Sequence, residues 1–203
     1  MTSNVRGTFQ YLQQENIRLQ EENEHFRDEV VRLRLVLRTL GKLSQVSTSI
    51  NKQTDIMKML DQIMASALIC IGADDGTLML ADEDTKELAF VVAHGQIGDK
   101  LTQYRIPLGE GIAGWVAEHA QPQIIPNVYL DDRFSPQIDQ TFQFKTHSML
   151  CVPIVYNDKV LGVIQVLNKS NRKEFNQSDL VMLTIVSQLA ASSLARAETL
   201  LSA

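Results

Sequence analysis

Two cysteines and four histidines are the residues of this chain best suited to nucleophilic, redox or metal chemistry. Cys70 and Cys151 each sit inside an apolar run, with no cationic neighbour in sequence to lower a thiol pKa. Both therefore read as buried, reduced thiols rather than nucleophiles. With no Cys-x-x-Cys and the histidines scattered, no metal site is expected. No Ser/His/Asp order and no paired carboxylates mark a catalytic centre, and Asp131 and Asp132 are placed to cap the turn after them. Gly109-Glu110-Gly111-Ile112-Ala113-Gly114 is a glycine-rich turn opening a helix, a geometry that can offer backbone N–H groups to an anion. It lacks the Lys-Ser/Thr of a nucleotide P-loop and does not follow the strand a dinucleotide motif requires. A tight turn with close helix packing at Gly114 is the expectation, and the chain is not expected to be an enzyme.

Binding remains, and it depends on the elements that would shape a pocket. A chain of 203 residues holds one ordinary domain plus an extension, and its 44% hydrophobic and 21% charged residues suit a globular protein. A net charge of -5 spread along the chain argues against nucleic acid or an anionic membrane as partner. No uninterrupted apolar run approaches the roughly 18 residues of a membrane span, and no leader opens the chain, so a cytoplasmic location is expected.

From Val5 onward, apolar and asparagine residues step by four and three: Val5, Phe9, Leu12, Asn16, Leu19, Asn23, Phe26, Val30, Leu33, Leu37, Leu40. This is a heptad repeat with Phe9, Asn16, Asn23, Val30 and Leu37 at a and the others at d. Asparagine at a is costly, yet two can bond across a parallel two-stranded interface and fix its register. Glu22 and Glu29 fall at g, with Arg27 and Arg34 at the e positions of a facing chain. The spacing predicts a parallel homodimer through Leu12, Asn16, Leu19, Asn23, Phe26, Val30, Leu33, Leu37 and Leu40. At Leu40 the phase slips, and Leu43, Val46 and Ile50 continue out of register after Gly41. Such a stutter changes the supercoil locally and can transmit a twist, or can simply mark a domain boundary.

Beyond it, Thr54 or Asp55 can cap a helix with Ile56, Met59, Leu60, Ile63, Ala67 and Leu68 on one face. Residues 72–76 read as a turn into strands at 77–81 and 88–93. Residues 95–100 read as a loop, 123–125 as a short strand and 136–141 as a short helix. Residues 148–169 form the organising hairpin, two Val/Ile/Leu-rich runs around Asn157, Asp158 and Lys159. A final helix from about Gln177 is capped by Asn176, with Asp179 three residues on in the manner of a capping box.

Four ordered motifs carry a resemblance. Gly-Glu-Gly-Ile-Ala-Gly-Trp-Val-Ala (109–117), Asp-Asp-Arg-Phe (131–134), Ser-Met-Leu-Cys-Val-Pro-Ile (148–154) and Leu-Gly-Val-Ile-Gln-Val-Leu-Asn-Lys (161–169) together resemble the GAF domain. The resemblance covers about residues 44 to 196 and looks closest to the domains that regulate cyclic-nucleotide phosphodiesterases and bacterial adenylyl cyclases. It implies an α+β fold, an α/β/α sandwich with a six-stranded antiparallel sheet flanked by helices. The family's Asn-Lys-Phe-Asp-Glu signature is matched by Asn168, Lys169, Phe175 and Asp179, with Leu180 in place of the glutamate. The resemblance implies that Lys169 and Asp179 form a structural salt bridge.

The same resemblance places a ligand pocket between the sheet and short helices above it. Thr77, Asp139 and Thr146 match its pocket positions. His94, Phe142 and Gln165 stand at pocket positions where the family has other residues, and Ala93 replaces an aromatic. Those departures weaken the case for a cyclic nucleotide, which the resemblance allows without favouring. Bilin and haem are disfavoured: Cys151 lies in a strand away from where a bilin thiol belongs, and His94, His119 and His147 suit haem by residue type alone. A GAF-fold methionine sulfoxide reductase uses reactive cysteines near the pocket, which Cys70 and Cys151 do not resemble. The cofactor is left unassigned.

The expected organisation is a coiled-coil helix over 1–43, a GAF domain over 44–196 and a helical extension over 197–203. The expected function is a small-molecule-sensing regulatory module that dimerises through its terminal helices and signals to a partner or output domain. The alternative is a structural dimerisation scaffold whose pocket is filled by Phe142 and Phe144.

Overall fold

One long helix, α1 (Thr2–Thr48), opens the chain in a computed structural model. The structure describes the backbone of residues 2–48, 55–96, 98–101 and 104–201; the side chains of 2–10, 25, 28, 29, 32, 35, 40, 42–44, 46–48, 99 and 201 lie outside the description. The chain divides into two units, Met1–Arg38 and Thr39–Ala203, so the boundary falls a few residues before the expected one. In the first unit, Leu12, Leu19, Phe26, Val30, Leu33 and Leu37 of the heptad seam are all exposed on the single chain. Arg18 bridges Glu15 at 2.6 Å and Glu22 at 3.5 Å along the helix surface. The side chains of the seam residues Val5, Phe9 and Leu40, of the stutter residues Leu43 and Val46, and of Glu29 lie outside the description, and Ile50 lies outside the described residues altogether. The backbone runs helical through Gly41 without a break.

The second unit is built on a six-stranded, wholly antiparallel sheet in the order β3-β2-β1-β6-β5-β4. Its strands are β1 (Ala73–Asp82), β2 (Glu87–His94), β3 (Arg105–Pro107), β4 (Gln123–Ile125), β5 (Met149–Tyr156) and β6 (Lys159–Lys169). The hairpin β5–β6 closes through Asn157 and Asp158, both with positive φ, which is the two-residue turn matching the twist of the strands. Lys159 belongs to the strand rather than to the turn. β1 starts at Ala73, so only Gly72, at φ +75°, remains of the turn expected over 72–76. The edge strand β3 was not legible, because three residues ending in proline carry no alternation.

Helices cover both faces. On one, α2 (Ile56–Ile71) and α5 (Gln177–Leu201) pack Leu60, Ile63, Met64, Leu183, Val186 and Ala190 onto Leu78, Leu150, Val152, Ile154, Ile164 and Val166. Asp55 caps α2 by accepting the Lys58 N–H at 3.1 Å; Thr54 lies outside the described residues. Asn176 caps α5 by accepting the N–H groups of Ser178 and Asp179 while its own N–H donates to Asp179 at 3.0 Å, a reciprocal box. α5 is long and apolar enough to span a membrane by length and composition, although no single run in it looked so. Its apolar face lies against the sheet, as a core helix does. The helix passes residue 197 without interruption and Ala197 is buried, so the described part of the expected extension is simply its last turn.

The opposite face carries α3 (Gly111–His119) and α4 (Gln137–Phe142) over Met79, Leu88, Phe90, Met149, Cys151 and Val163. The turn into α3 is as tight as its glycines suggested. Gly109 and Gly111 hold φ of +83° and +65°, and a Cβ on Gly114 would sit 2.6 Å from the Pro107 carbonyl oxygen.

Candidate ligand-binding site

A cavity of about 220 Å³ lies between this second face and the helices above it. Strand alternation supplies its floor. Thr77 of β1 and Gln165 of β6 are partners across the β1–β6 ladder and point to the same side, with Met149 of β5 beside them. α3 contributes Ile112 and Ala113, and α4 contributes Ile138 and Asp139. Phe90, Leu101, Tyr104, Phe134 and Phe144 add an apolar and aromatic wall. Of these five only Phe144 was read from the sequence, as a side chain filling the pocket; Leu101 and Tyr104 come from short or irregular chain that carries no periodicity.

The polar groups fall into two sets. On the floor, the buried Thr77 hydroxyl donates to Gln165 Oε1 at 3.3 Å, and Gln165 Nε2 donates to the Met149 sulfur at 3.2 Å. The amide also hydrogen-bonds the buried Cys151 thiol, and a thioether and a thiol are both weak acceptors. At the rim of α4, Asp139 accepts the Thr146 N–H at 2.7 Å through one oxygen and the Thr146 hydroxyl at 2.8 Å through the other. The Phe144 N–H donates to the Asp139 carbonyl at 3.0 Å, and Gln143 takes a left-handed φ of 53°. This pair folds the loop after α4 back upon the helix, which is a capping role.

Four of the six expected pocket residues, Thr77, Asp139, Thr146 and Gln165, are thus brought together. Phe142 stands back, edge-on to Tyr104 with ring centroids 5.3 Å apart. His94 is a correction. It lies on the other face of the sheet, where its Nε2 is 2.8 Å from Asp61 Oδ1 of α2. The cause is a bulge: Leu78 pairs with Val92 but Met79 pairs with Phe90, leaving Val91 as an extra residue that reverses the alternation beyond it. Ala93, not His94, therefore faces the cavity side, where it packs against the core of that face.

The other histidines serve elsewhere. His119 stacks on Trp115 at 4.3 Å, and Arg133 lies over the same ring at 4.6 Å. Arg133 also forms a forked pair with Asp131, whose two oxygens accept Nε and Nη2 at 2.8 and 2.7 Å, and it donates to Gln123 at 3.1 Å. The Arg133 side-chain bonds hold the Asp131 carboxyl below the usual carboxylate range. His147 donates its backbone N–H to Asn168 Oδ1 at 2.8 Å.

Asn168, at φ 46°, also donates to the Lys145 carbonyl at 2.8 Å and so ties the 145–148 segment to the end of β6. Lys169 Nζ meets Asp179 Oδ2 at 2.5 Å in the interior, joining β6 to α5, and Phe175 is buried between them in sequence. Leu180 packs partly buried against the core, where a glutamate would lose solvation. Burial pushes the Cys70 thiol up to about 11 and raises that of Cys151 as well. Neither offers a thiolate at neutral pH.

The GAF domain family model matches residues 55–194. Among curated proteins, the chain is 32% identical over 139 residues to the dual 3′,5′-cyclic-AMP and -GMP phosphodiesterase 11A of Takifugu rubripes, covering 64% of this chain and 15% of that protein. It is 33% identical over 141 residues to the cGMP-specific 3′,5′-cyclic phosphodiesterase of Drosophila virilis, covering 63% of this chain and 16% of that one. The match therefore spans a small fraction of either relative. Among solved structures, the GAF domain of a phosphoenolpyruvate-protein phosphotransferase from Coxiella burnetii superposes with a TM-score of 0.72 at 17% identity, covering 83% of this chain and 97% of that one. The free methionine-R-sulfoxide reductase of Neisseria meningitidis superposes with a TM-score of 0.66 at 17% identity, covering 81% and 90%. Sheet order, flanking helices and a family match over most of its length agree: this chain belongs to the GAF domain family.

Proposed function

We propose that this chain is a sensory and regulatory module in which a small molecule held in the cavity shifts the helices packed around the sheet. A parallel dimer of α1 passes that shift to a partner or output domain. The observation that carries this reading is the cavity of about 220 Å³ with a buried hydroxyl–amide pair on its floor. GAF domains generally serve as regulatory sensor modules, and the curated relatives act on cyclic nucleotides, which makes cyclic AMP and cyclic GMP the first ligands to test. The scaffold alternative draws its support from Asp139 and Thr146, which satisfy each other without a ligand. Phe144 leaves the cavity open, however, and Phe142 does not line it. Buried, protonated thiols suit a cytoplasmic setting and a role without catalysis.

The dimer is read from the exposed heptad seam and its two asparagines, which only a parallel, in-register partner satisfies pairwise. Oxidising an Asn16→Cys variant checks this. A disulfide-linked dimer is expected, since facing a positions come close only in that arrangement, and a chain that stays uncrosslinked and sediments as a monomer removes the dimer. Native mass spectrometry of protein purified from its own host checks the sensory half, with a retained small molecule as the expected result. An empty chain whose melting responds to no added ligand sinks it.

A further inference from the structure

The sensory reading leaves the chemistry of the ligand open, and the cavity's size, charge and floor narrow it. By proportion to an engineered cavity of 150 Å³ that accepts benzene, a cavity of about 220 Å³ holds roughly nine or ten non-hydrogen atoms. It falls below the 300–1,000 Å³ typical of sites for larger ligands. A purine, sugar and cyclic phosphate together exceed that room unless the walls move.

The charge of the lining disfavours an anion. Among the described residues Arg105 is the one cation that lines the cavity, and its guanidinium is about half exposed and paired to Asp82 at 3.1 Å and Glu87 at 3.6 Å. Asp139 and Glu110 both line the cavity, and Asp139 is buried. The first turn of α3 brings partial positive charge there, but its N-cap residue is itself a carboxylate, Glu110, which makes no side-chain cap hydrogen bond. A phosphate would enter beside two carboxylates with no free guanidinium to meet it.

The floor is specific in a different way. Thr77 spends its proton on Gln165 Oε1, so its lone pairs remain open as acceptors. Gln165 has two amide protons, and both partners it shows for them are sulfurs, the Met149 thioether at 3.2 Å and the buried Cys151 thiol, which are weak acceptors that a carbonyl oxygen outcompetes. A donor therefore stands beside an acceptor on an otherwise apolar floor. Its complement is a ligand edge with an acceptor beside a donor, which is the edge of a carboxamide or a lactam.

We infer that the cavity binds a small, uncharged, planar molecule carrying a carboxamide or lactam edge, with its carbonyl oxygen on Gln165 Nε2 and its N–H on Thr77 Oγ1. This deepens the sensory reading and rests on it. The body of such a ligand lies against Phe90, Phe134 and Phe144, where planar rings pack favourably. Gln165 is then a specificity-determining residue: a glutamate there would present acceptors alone and repel the carbonyl.

Three probes of nearly equal size separate the possibilities, namely benzamide, benzoate and toluene, with cyclic AMP and cyclic GMP as the larger rivals. Methyl-¹³C labelling of methionine gives the readout in the intact chain. Met149 sits on the cavity floor, and Met64, on the other face of the sheet, reports the integrity of the fold. Benzamide is expected to shift the Met149 methyl resonance saturably while leaving Met64 in place, and benzoate at pH 7 to bind at least tenfold more weakly. Gln165→Leu is expected to weaken benzamide about tenfold and leave toluene unchanged, with Thr77→Val as the second variant should the first disturb Met64. Benzoate or a cyclic nucleotide binding as tightly as benzamide overturns the ligand class and leaves the sensory reading standing. Benzamide binding unchanged in both variants also overturns it. Silence of Met149 toward all five compounds overturns both.

Discussion

Replacing Lys169 by methionine tests whether the joint between β6 and α5 is an interior ion pair that the fold depends on. The two side chains are 5% and 0% exposed, and Nζ lies 2.5 Å from Asp179 Oδ2. That oxygen also accepts the Asn176 N–H at 3.0 Å and so belongs to the cap of α5. Methionine keeps most of the apolar stem and removes the charge, so the loss is electrostatic rather than volumetric. A buried carboxylate deprived of its cation costs about 3–5 kcal/mol. That is a large share of the 5–15 kcal/mol that keeps an ordinary domain folded. At roughly 2–4 °C per kcal/mol for a domain of this size, the thermal midpoint should fall by about 6–20 °C.

Urea unfolding followed by circular dichroism at pH 7 gives the free energy directly. A second arm removes both charges in Lys169→Met with Asp179→Leu. The double variant loses the cap contact, about 1 kcal/mol, but buries no unpaired charge, so it should be more stable than Lys169→Met alone. Should Lys169→Met unfold within about 1 kcal/mol of the parent, or the two effects simply add, the pair is not the joint described here.

Gly114→Ala should cost about 1–3 kcal/mol, because the new methyl meets backbone of Pro107 and Gly109 that cannot step aside; an unchanged urea midpoint refutes the close packing. Asp139→Ala strands the buried Thr146 N–H and hydroxyl, at about 1–3 kcal/mol, and should expose the loop at 143–148 to proteolysis. Equal cleavage of parent and variant would show that the pair does not hold the loop. Asp131 supplies the pH dependence. Its folded pKa is depressed by Arg133, so its contribution is present above the ordinary carboxylate value near about 3.9 and is lost as pH falls below it. Asp131→Asn should therefore be the less stable protein at pH 7, with the gap to the parent closing below about pH 4; a gap that persists unchanged at lower pH contradicts the assignment.

Much of the fold was legible because several signals agreed at each place. The runs in β5 and β6 are apolar on both sides of a two-residue turn, which is what a strand covered on both faces requires. Asn176 and Asp179 stand three apart at the start of α5, and the reciprocal cap follows from that spacing. Short or irregular elements were not legible. β3 is three residues long, and the 3₁₀ turn at Gly98–Leu101, which brings Leu101 to the cavity, has no periodicity to betray it. The apolar length of α5 was also missed, because serines and threonines punctuate it; their hydroxyls donate to carbonyls one turn back and so pass at low cost within a packed helix.

The site depended on something finer than element boundaries, namely the parity of one strand. Leu88 and Phe90 face the cavity side, so unbroken alternation along β2 would place Val92 and His94 there as well. The extra residue at Val91 turns Val92 into the opposite core and sends His94 to Asp61, leaving Ala93 against the cavity-side core. No residue type marks that bulge, since Phe90, Val91 and Val92 are all ordinary strand formers. A single backbone irregularity thus replaces an imidazole by a methyl beside Thr77, its partner across the ladder. Polarity is thereby withdrawn from that end of the floor, and Thr77 with Gln165 is left as its hydrogen-bonding pair. The ligand class inferred above depends on that parity: with His94 turned inward the cavity would hold a group able to carry positive charge, and an anionic ligand would fit it better than an amide.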